Sequence, residues 1–263
     1  MLPYIYIGSL KISMYYLAMF LGYVAMVVLM LLPKRRTLYK LSKPKAVLFA
    51  TAVLIAGLLG CKILYIIECF KYVLKHGLTI GGFSFFGAAL LVPLLIIPVG
   101  KAFRLKAAES LDNAAVCVVA MLGTIRIGCF CNGCCGGRIF FFKNFDISFP
   151  TQLIELVCDA LILAWLLRTE ARPGNRGRLY GRFLLSYGIA RFFIEFLRST
   201  PKDWNGLSHG QWFSLIAIIA GAVAELIFIT RERNAAAAEI KEAADAAGSP
   251  DVDADAADTP QQD

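Results

Sequence analysis

Charge is what this sequence has least of: 17% of its 263 residues are Asp, Glu, Lys or Arg, where a soluble domain carries roughly 25%. Histidine is nearly missing as well, with two in the whole chain, which makes a mixed Cys/His metal cage hard to assemble. No small-residue cleavage site follows the first apolar run, and its only preceding basic residue is Lys11. That run ends at Pro33-Lys34-Arg35-Arg36 and is therefore read as a retained helix, not a signal peptide. The last stretch, 231–263, lacks aromatics altogether. Rich in Ala and Asp, it cannot bury enough apolar area to order itself as a domain, although 234–246 is compatible with a short helix.

What is there in quantity is apolar: 58% of the residues belong to the hydrophobic set. A spanning helix needs about 20 mostly apolar residues, and seven windows qualify, near 13–32, 46–67, 81–100, 112–130, 150–167, 179–197 and 209–230. Lipid offers no partner to an unpaired backbone group, so the windows are read as helices. The expected architecture is an all-α integral membrane protein of about seven helices over 1–230, followed by an acidic tail over 231–263.

Basic residues set the orientation. Taking alternate connections as one face, the side holding 33–45, 101–111, 168–178 and the tail carries sixteen Lys and Arg, and the opposite side seven. The basic side is expected to be cytoplasmic, with the N-terminus outside and the C-terminus inside. The formal charge of +8 suits anionic lipid headgroups at that inner surface, and nothing in its distribution points to nucleic acid.

Four cations fall inside the apolar windows: Lys62, Arg126, Arg182 and Arg191. A cation at bilayer depth is costly and is usually paired or faces a polar cavity. Arg182, near a helix end, is explained by snorkelling; the other three are functional candidates.

Four of the eight cysteines crowd into RIGCFCNGCCGGR, as Cys129, Cys131, Cys134 and Cys135. Three readings stand side by side: a soft-metal site, thiol–disulfide exchange through the C-x-x-C of Cys131 and Cys134, or a structural or substrate-facing turn. One tight cluster without a second pair argues against a metal, and none is expected, nor any cofactor.

The stretch from Arg126 to Arg138 resembles the R-x-G-N-F-x-N-G-E-x-x-G-R signature of prolipoprotein diacylglyceryl transferases, with Arg126, Gly128, Phe130, Asn132, Gly133, Gly137 and Arg138 on matching positions. Further likenesses follow in chain order. Tyr15 lies in a first-helix pattern, Gly60-Cys61-Lys62-Ile63 is similar to G-x-R-I, and GGFSFFGAAL from Gly81 to G-G-M-S-F-H-G-G-L-L. PTQLIE from Pro150, LLSYGIARFFIEFLRS from Leu184 and HGQWFSL from His209 complete the set. A branch of the family with a G-C-F-x-x-G-C-C-x-G signature is the closer likeness.

The resemblance implies transfer of a diacylglyceryl group from phosphatidylglycerol to the lipobox cysteine thiol of a prolipoprotein signal peptide, in the bacterial cell membrane. It implies Arg126, Arg191, Glu195, Tyr15 and Tyr187 as catalytic residues. Asn132, Gly133, Gly137, Arg198, Lys62, Glu155 and Gln211 would bind substrate. Arg suits the task because it is always charged and grips phosphate through two parallel donors. Tyr187, Arg191, Glu195 and Arg198 fall on one helical face, and Asp112 stands where a helix N-cap would. Three positions depart from the family pattern: Phe86 replaces its His, Cys129 its Asn and Cys134 its Glu. Two functional classes therefore stay open on the sequence: this transferase, or a family member that binds lipid or exchanges thiols without that chemistry.

Overall fold

The computed structural model describes residues 3–8, 10–77, 84, 86–142, 145–172, 174–202 and 205–247. Each apolar window is helical over most of its described residues. In chain order the long helices are α1 (Met14–Leu31), α3 (Lys43–Glu68), α5 (Phe86–Ala102), α6 (Ala107–Asn132), α7 (Thr151–Glu170), α8 (Leu179–Ile194) and α9 (His209–Ala247), with short α2 (Pro33–Leu38) and α4 (Phe70–His76) between them. Four of these, α1, α3, α6 and α9, are long and apolar enough to cross a bilayer. Large apolar side chains point outward along them and along α7 and α8, including Phe20, Leu48, Leu161, Phe193 and Ile219. Such a surface suits lipid and not water; this is a membrane protein.

The structure is consistent with the all-α expectation, and two short antiparallel hairpins stand beside the helices: β1 (Tyr4–Ile7) with β2 (Leu10–Ser13) before α1, and β3 (Ile139–Phe142) with β4 (Phe145–Ser148) between α6 and α7. Both are rich in aromatic and β-branched residues, which favour extended backbone when too few stand together to make a helix.

The chain divides after Glu225. Within 1–225, α6 is the axis: 67% of its apolar window is buried, against 22% for α1 and 33% for α3. Its run Ala114–Ala120 is small or β-branched and entirely buried, so neighbouring backbones approach closely. From Leu226, α9 continues as helix to Ala247 and covers the 234–246 stretch; residues 248–263 lie outside the described ones.

Asp112 is not an N-cap. α6 begins five residues earlier, capped at Lys106, and the buried Asp112 carboxylate instead accepts hydrogen bonds from the backbone of Gly177 (2.5 Å) and Leu179 (2.9 Å) at the start of α8. Arg35, expected in a solvated basic loop, is buried there too. It donates to Glu170 and Asn113, each at 2.9 Å, and so ties α2 to α6 and α7. Beside them, burial first and then the Asp112 and Glu170 carboxylates push the Tyr39 phenol above its ordinary range.

Where α3 crosses α5, Gly60 and Gly87 meet backbone to backbone, and a Cβ on Gly87 would overlap the Gly60 carbonyl. Gly87→Ala must therefore force the helices apart. Overpacking of this kind costs about 1–3 kcal/mol. We expect a lower melting temperature in detergent for this variant and none for Gly57→Ala, whose methyl would find its nearest neighbour, Ala88 Cβ, at 3.9 Å. Equal melting of the two variants would contradict the crossing geometry.

Candidate active site

Three buried arginines, Arg126, Arg191 and Arg198, converge at one end of the bundle, where α6 and α8 finish and α1, α5, α7 and α9 begin. Glu155, in the first turns of α7, is the hub. It pairs with Arg126 of α6, with Arg191 of α8, and with Arg198 at 3.0 Å. Glu195 extends the network, taking Arg191 Nη2 at 2.6 Å and lying 3.8 Å from Arg198 Nε. It also accepts hydrogen bonds from the Thr200 (2.6 Å) and Ser208 (3.0 Å) hydroxyls. All five charged residues are at most 9% exposed.

Sequence reasoning placed Arg191 and Glu195 one turn apart, and they pair as that spacing predicts. It put Glu155 among the substrate-binding residues; the fold gives it three arginines, because α6, α8 and the chain after α8 all end beside the start of α7. It also set Arg198 on the helical face. The α-helix instead stops at Ile194 and tightens into a 3₁₀ turn, Glu195–Leu197, after which Arg198 is extended.

That extension docks the glycine-rich turn. Gly137 bridges to Arg198, its N–H donates to Phe149 O (2.8 Å), and Arg138 N–H donates to Leu197 O (2.9 Å). A Cβ on Gly137 would sit 2.7 Å from Leu197 O and 2.8 Å from Phe149 O; only glycine fits. Gly133 ends α6 in the left-handed conformation (φ 69°), leaving Asn132 and Gly133 exposed over the arginines' end of the bundle.

Tyr15, at the start of α1, packs its backbone against Gly128 and lies within electrostatic reach of Arg126. Tyr187 is buried within electrostatic reach of Arg126, Arg191 and Glu155. Gln211 is fully buried, and its Oε1 accepts from Ser208 N–H (3.0 Å) while its own N–H donates to Ser208 Oγ (3.2 Å), a reciprocal cap at the start of α9. The Lys62 ammonium lies 5.2 Å over the Tyr65 ring on α3. Asp159, one turn beyond Glu155, is buried within electrostatic reach of Arg126. Of residue 81–85 in the glycine motif before α5, only Ser84 is described.

The cysteines do not gather as the C-x-x-C spacing suggested. The sulfurs of Cys129, Cys134 and Cys135 lie within 4.8 Å of one another, and Cys131 is not among them. Gln152 donates to Cys134 O (2.6 Å) and Thr151 to Cys135 O (2.9 Å), fixing the turn to α7. A hydrogen bond from Cys129 draws the Cys135 thiol down to about 5, against partial burial and with help from the Arg198 and Arg126 charges. Cys134 moves the other way, pushed up by desolvation and then by Cys135. Sequence reasoning had no means of separating these three thiols from Cys131, since the return of the turn is set by Thr151 and Gln152.

Comparison with known proteins agrees with this arrangement. The model of the prolipoprotein diacylglyceryl transferase family matches residues 3–227. The chain belongs to that family. Among relatives named phosphatidylglycerol–prolipoprotein diacylglyceryl transferase, the one from Clostridium tetani is 30% identical over 223 residues, covering 76% of this chain and 90% of its own length. That of Nitrosospira multiformis is 33% identical over 65% of each chain. The one named phosphatidylglycerol–prolipoprotein diacylglyceryl transferase 2, from Clostridium perfringens, is 30% identical over 82% of this chain and 90% of its own.

The positions where this transferase-family chain departs from the signature all lie at the same end of the bundle. Phe86, the first residue of α5, stacks on Phe213 (5.4 Å between centroids) and meets Tyr187 edge-on (6.4 Å). Cys129 and Cys134 are two of the three clustered thiols.

Proposed function

We propose that this chain moves a diacylglyceryl group from phosphatidylglycerol to the thiol of a lipobox cysteine in a prolipoprotein. The observation that carries the reading is the convergence of Arg126, Arg191 and Arg198 on Glu155 under the glycine-rich turn. Three guanidinium groups present about fifteen N–H donors, whereas two carboxylates offer about eight lone-pair sites, some already taken by Thr200 and Ser208. A phosphodiester anion is the acceptor class that matches the surplus.

In this reading the acceptor sulfur attacks the glyceryl carbon of the lipid, the carbon–oxygen bond to phosphate breaks, and glycerol phosphate leaves with the bonding pair. Arg126 and Arg191 hold the phosphate as its charge grows. Arg198, Asn132, Gly133 and Gly137 line its approach, with Lys62 and Gln211 contacting more distant parts of the substrates. Glu155 and Glu195 aim the arginines, and Tyr15 and Tyr187 serve proton movement. The test is direct: purified protein, radiolabelled phosphatidylglycerol and a lipobox peptide should yield labelled peptide. A well-folded preparation that transfers no label to peptide would sink the reading.

The proposal places seven membrane-crossing helices in a bacterial cell membrane, α1, α3, α5, α6, α7, α8 and α9, with the N-terminus outside and the acidic tail inside. A reporter fused after Thr230 is then active only in the cytoplasm, and one inserted in the 131–149 connection only outside. Reversal of either signal would discard this topology.

A further inference from the structure

The clustered thiols are the part of this end of the molecule that the transfer chemistry above leaves without a task. We propose that Cys129, Cys134 and Cys135 hold a soft divalent cation of the zinc type, with its fourth position open to the acceptor thiol. This rests on the lipid-to-thiol transfer argued above.

Geometry comes first. The three sulfurs already lie within 4.8 Å of one another, and three ligands of a tetrahedral zinc, at about 2.3 Å each, stand about 3.8 Å apart. The absence of a metal was expected because the thiols share one short turn. What that overlooked is the turn's shape: Gly133 (φ 69°) and Cys135 (φ 62°) are both left-handed and bring the chain back toward Cys129 at the end of α6. A left-handed conformation is uncommon outside glycine and persists where surrounding structure over-determines it. Here Thr151 and Gln152 do so, by holding the carbonyls of Cys135 and Cys134, in the way outer groups orient metal ligands.

Ligand number and access come next. Three protein ligands with one position left over is the pattern of catalytic zinc, whereas structural zinc is closed by four. Cys134 and Cys135 are exposed, so the cluster is reachable by an incoming thiol. Charge also fits. Three thiolates around a divalent cation sum to one negative charge, and Arg198 and Arg126 lie within electrostatic reach of the cluster to balance it. A disulfide would use only two of the sulfurs and leave the third unexplained.

The chemistry answers the loss at Phe86, which cannot take a proton from the acceptor. A thiol bound to zinc is deprotonated outright, its proton passing to solvent. The bound sulfur then forms the carbon–sulfur bond while the carbon–oxygen bond breaks, its electron pair going to the phosphate held by the arginines. The product thioether is neutral, a weaker ligand than a thiolate, and is released.

The experiment loads the reduced, full-length protein in detergent with cobalt(II) as a spectroscopic substitute for zinc. Wild type and Cys131→Ser should show sulfur-to-cobalt charge transfer, while Cys129→Ser, Cys134→Ser and Cys135→Ser each weaken binding on the order of 100-fold. A lipobox peptide should then alter the cobalt spectrum and its Cys-to-Ser version should not. No thiolate-bound cobalt in wild type, a signal that survives all three substitutions, or a spectrum indifferent to the cysteine peptide would each overturn the proposal. Lipid transfer measured in parallel separates the two ideas. Undiminished transfer by metal-stripped protein overturns the metal site and leaves the transferase standing. A peptide-responsive cobalt spectrum without transfer supports the site and sinks the reaction.

Discussion

Glu155→Gln is expected to remove lipid transfer and to lower the melting temperature of the detergent-solubilised protein more than any other single change at this end of the bundle. The carboxylate is 3% exposed and is shared by three guanidinium groups from separate segments of the chain. An amide of the same size keeps the packing but leaves those cations facing one another in a low-dielectric site. Removing one partner from a buried ion-pair network costs about 3–5 kcal/mol, a large fraction of the stability of an ordinary domain. Asp159→Asn is the matched control, because Asp159 lies beside the group yet makes no ion pair with any described residue. If Glu155→Gln does not accumulate, Glu155→Asp keeps the charge one methylene short, which should recover much of the stability while transfer stays depressed. Wild-type melting and transfer in Glu155→Gln would show that the three arginines do not depend on this carboxylate.

Arg126→Lys and Arg191→Lys carry the second large effect. Each keeps the positive charge and loses the planar fork, and a point-like ammonium cannot serve two acceptors in the same way. Arg191 shows what is lost: its Nη1 pairs with Glu155 while its Nη2 pairs with Glu195 at 2.6 Å, so a lysine must abandon one carboxylate. At the leaving phosphate, one misplaced charge-assisted contact removes roughly 2–4 kcal/mol of transition-state stabilisation, or about 30- to 1000-fold in rate. Arg182→Lys is the internal control. Arg182 pairs with Glu225 at 3.2 Å and lies over the Trp165 ring, away from Glu155, and its lysine variant should transfer lipid at close to the wild-type rate. Equal transfer by all three lysine variants, with normal yield and melting, would reduce the buried arginines to staples between helices.

Much of this architecture is legible in the chain because the bilayer simplifies the problem. Length and hydropathy alone located the seven long helices, since a segment in lipid has few ways to satisfy its backbone. The i, i+4 spacing of Arg191 and Glu195 and the presence of Arg126 in an apolar window pointed to the candidate site for the same reason: charge that deep needs a partner. The hairpins were missed because short aromatic strands give no periodic signal over eight residues.

What the sequence by itself determined is the helical membrane class, the family, and charged residues that gather at one end of the bundle. Only the tertiary structure decided their pairing: that Glu155 serves three arginines, that Arg35 is buried on Glu170, and that Cys129 meets Cys134 and Cys135 while Cys131 does not. The physical reason is separation along the chain. Arg126, Glu155 and Arg198 are brought together by the ends of different helices, and no local rule of spacing specifies which helix ends will meet until close packing around α6 has fixed their neighbours.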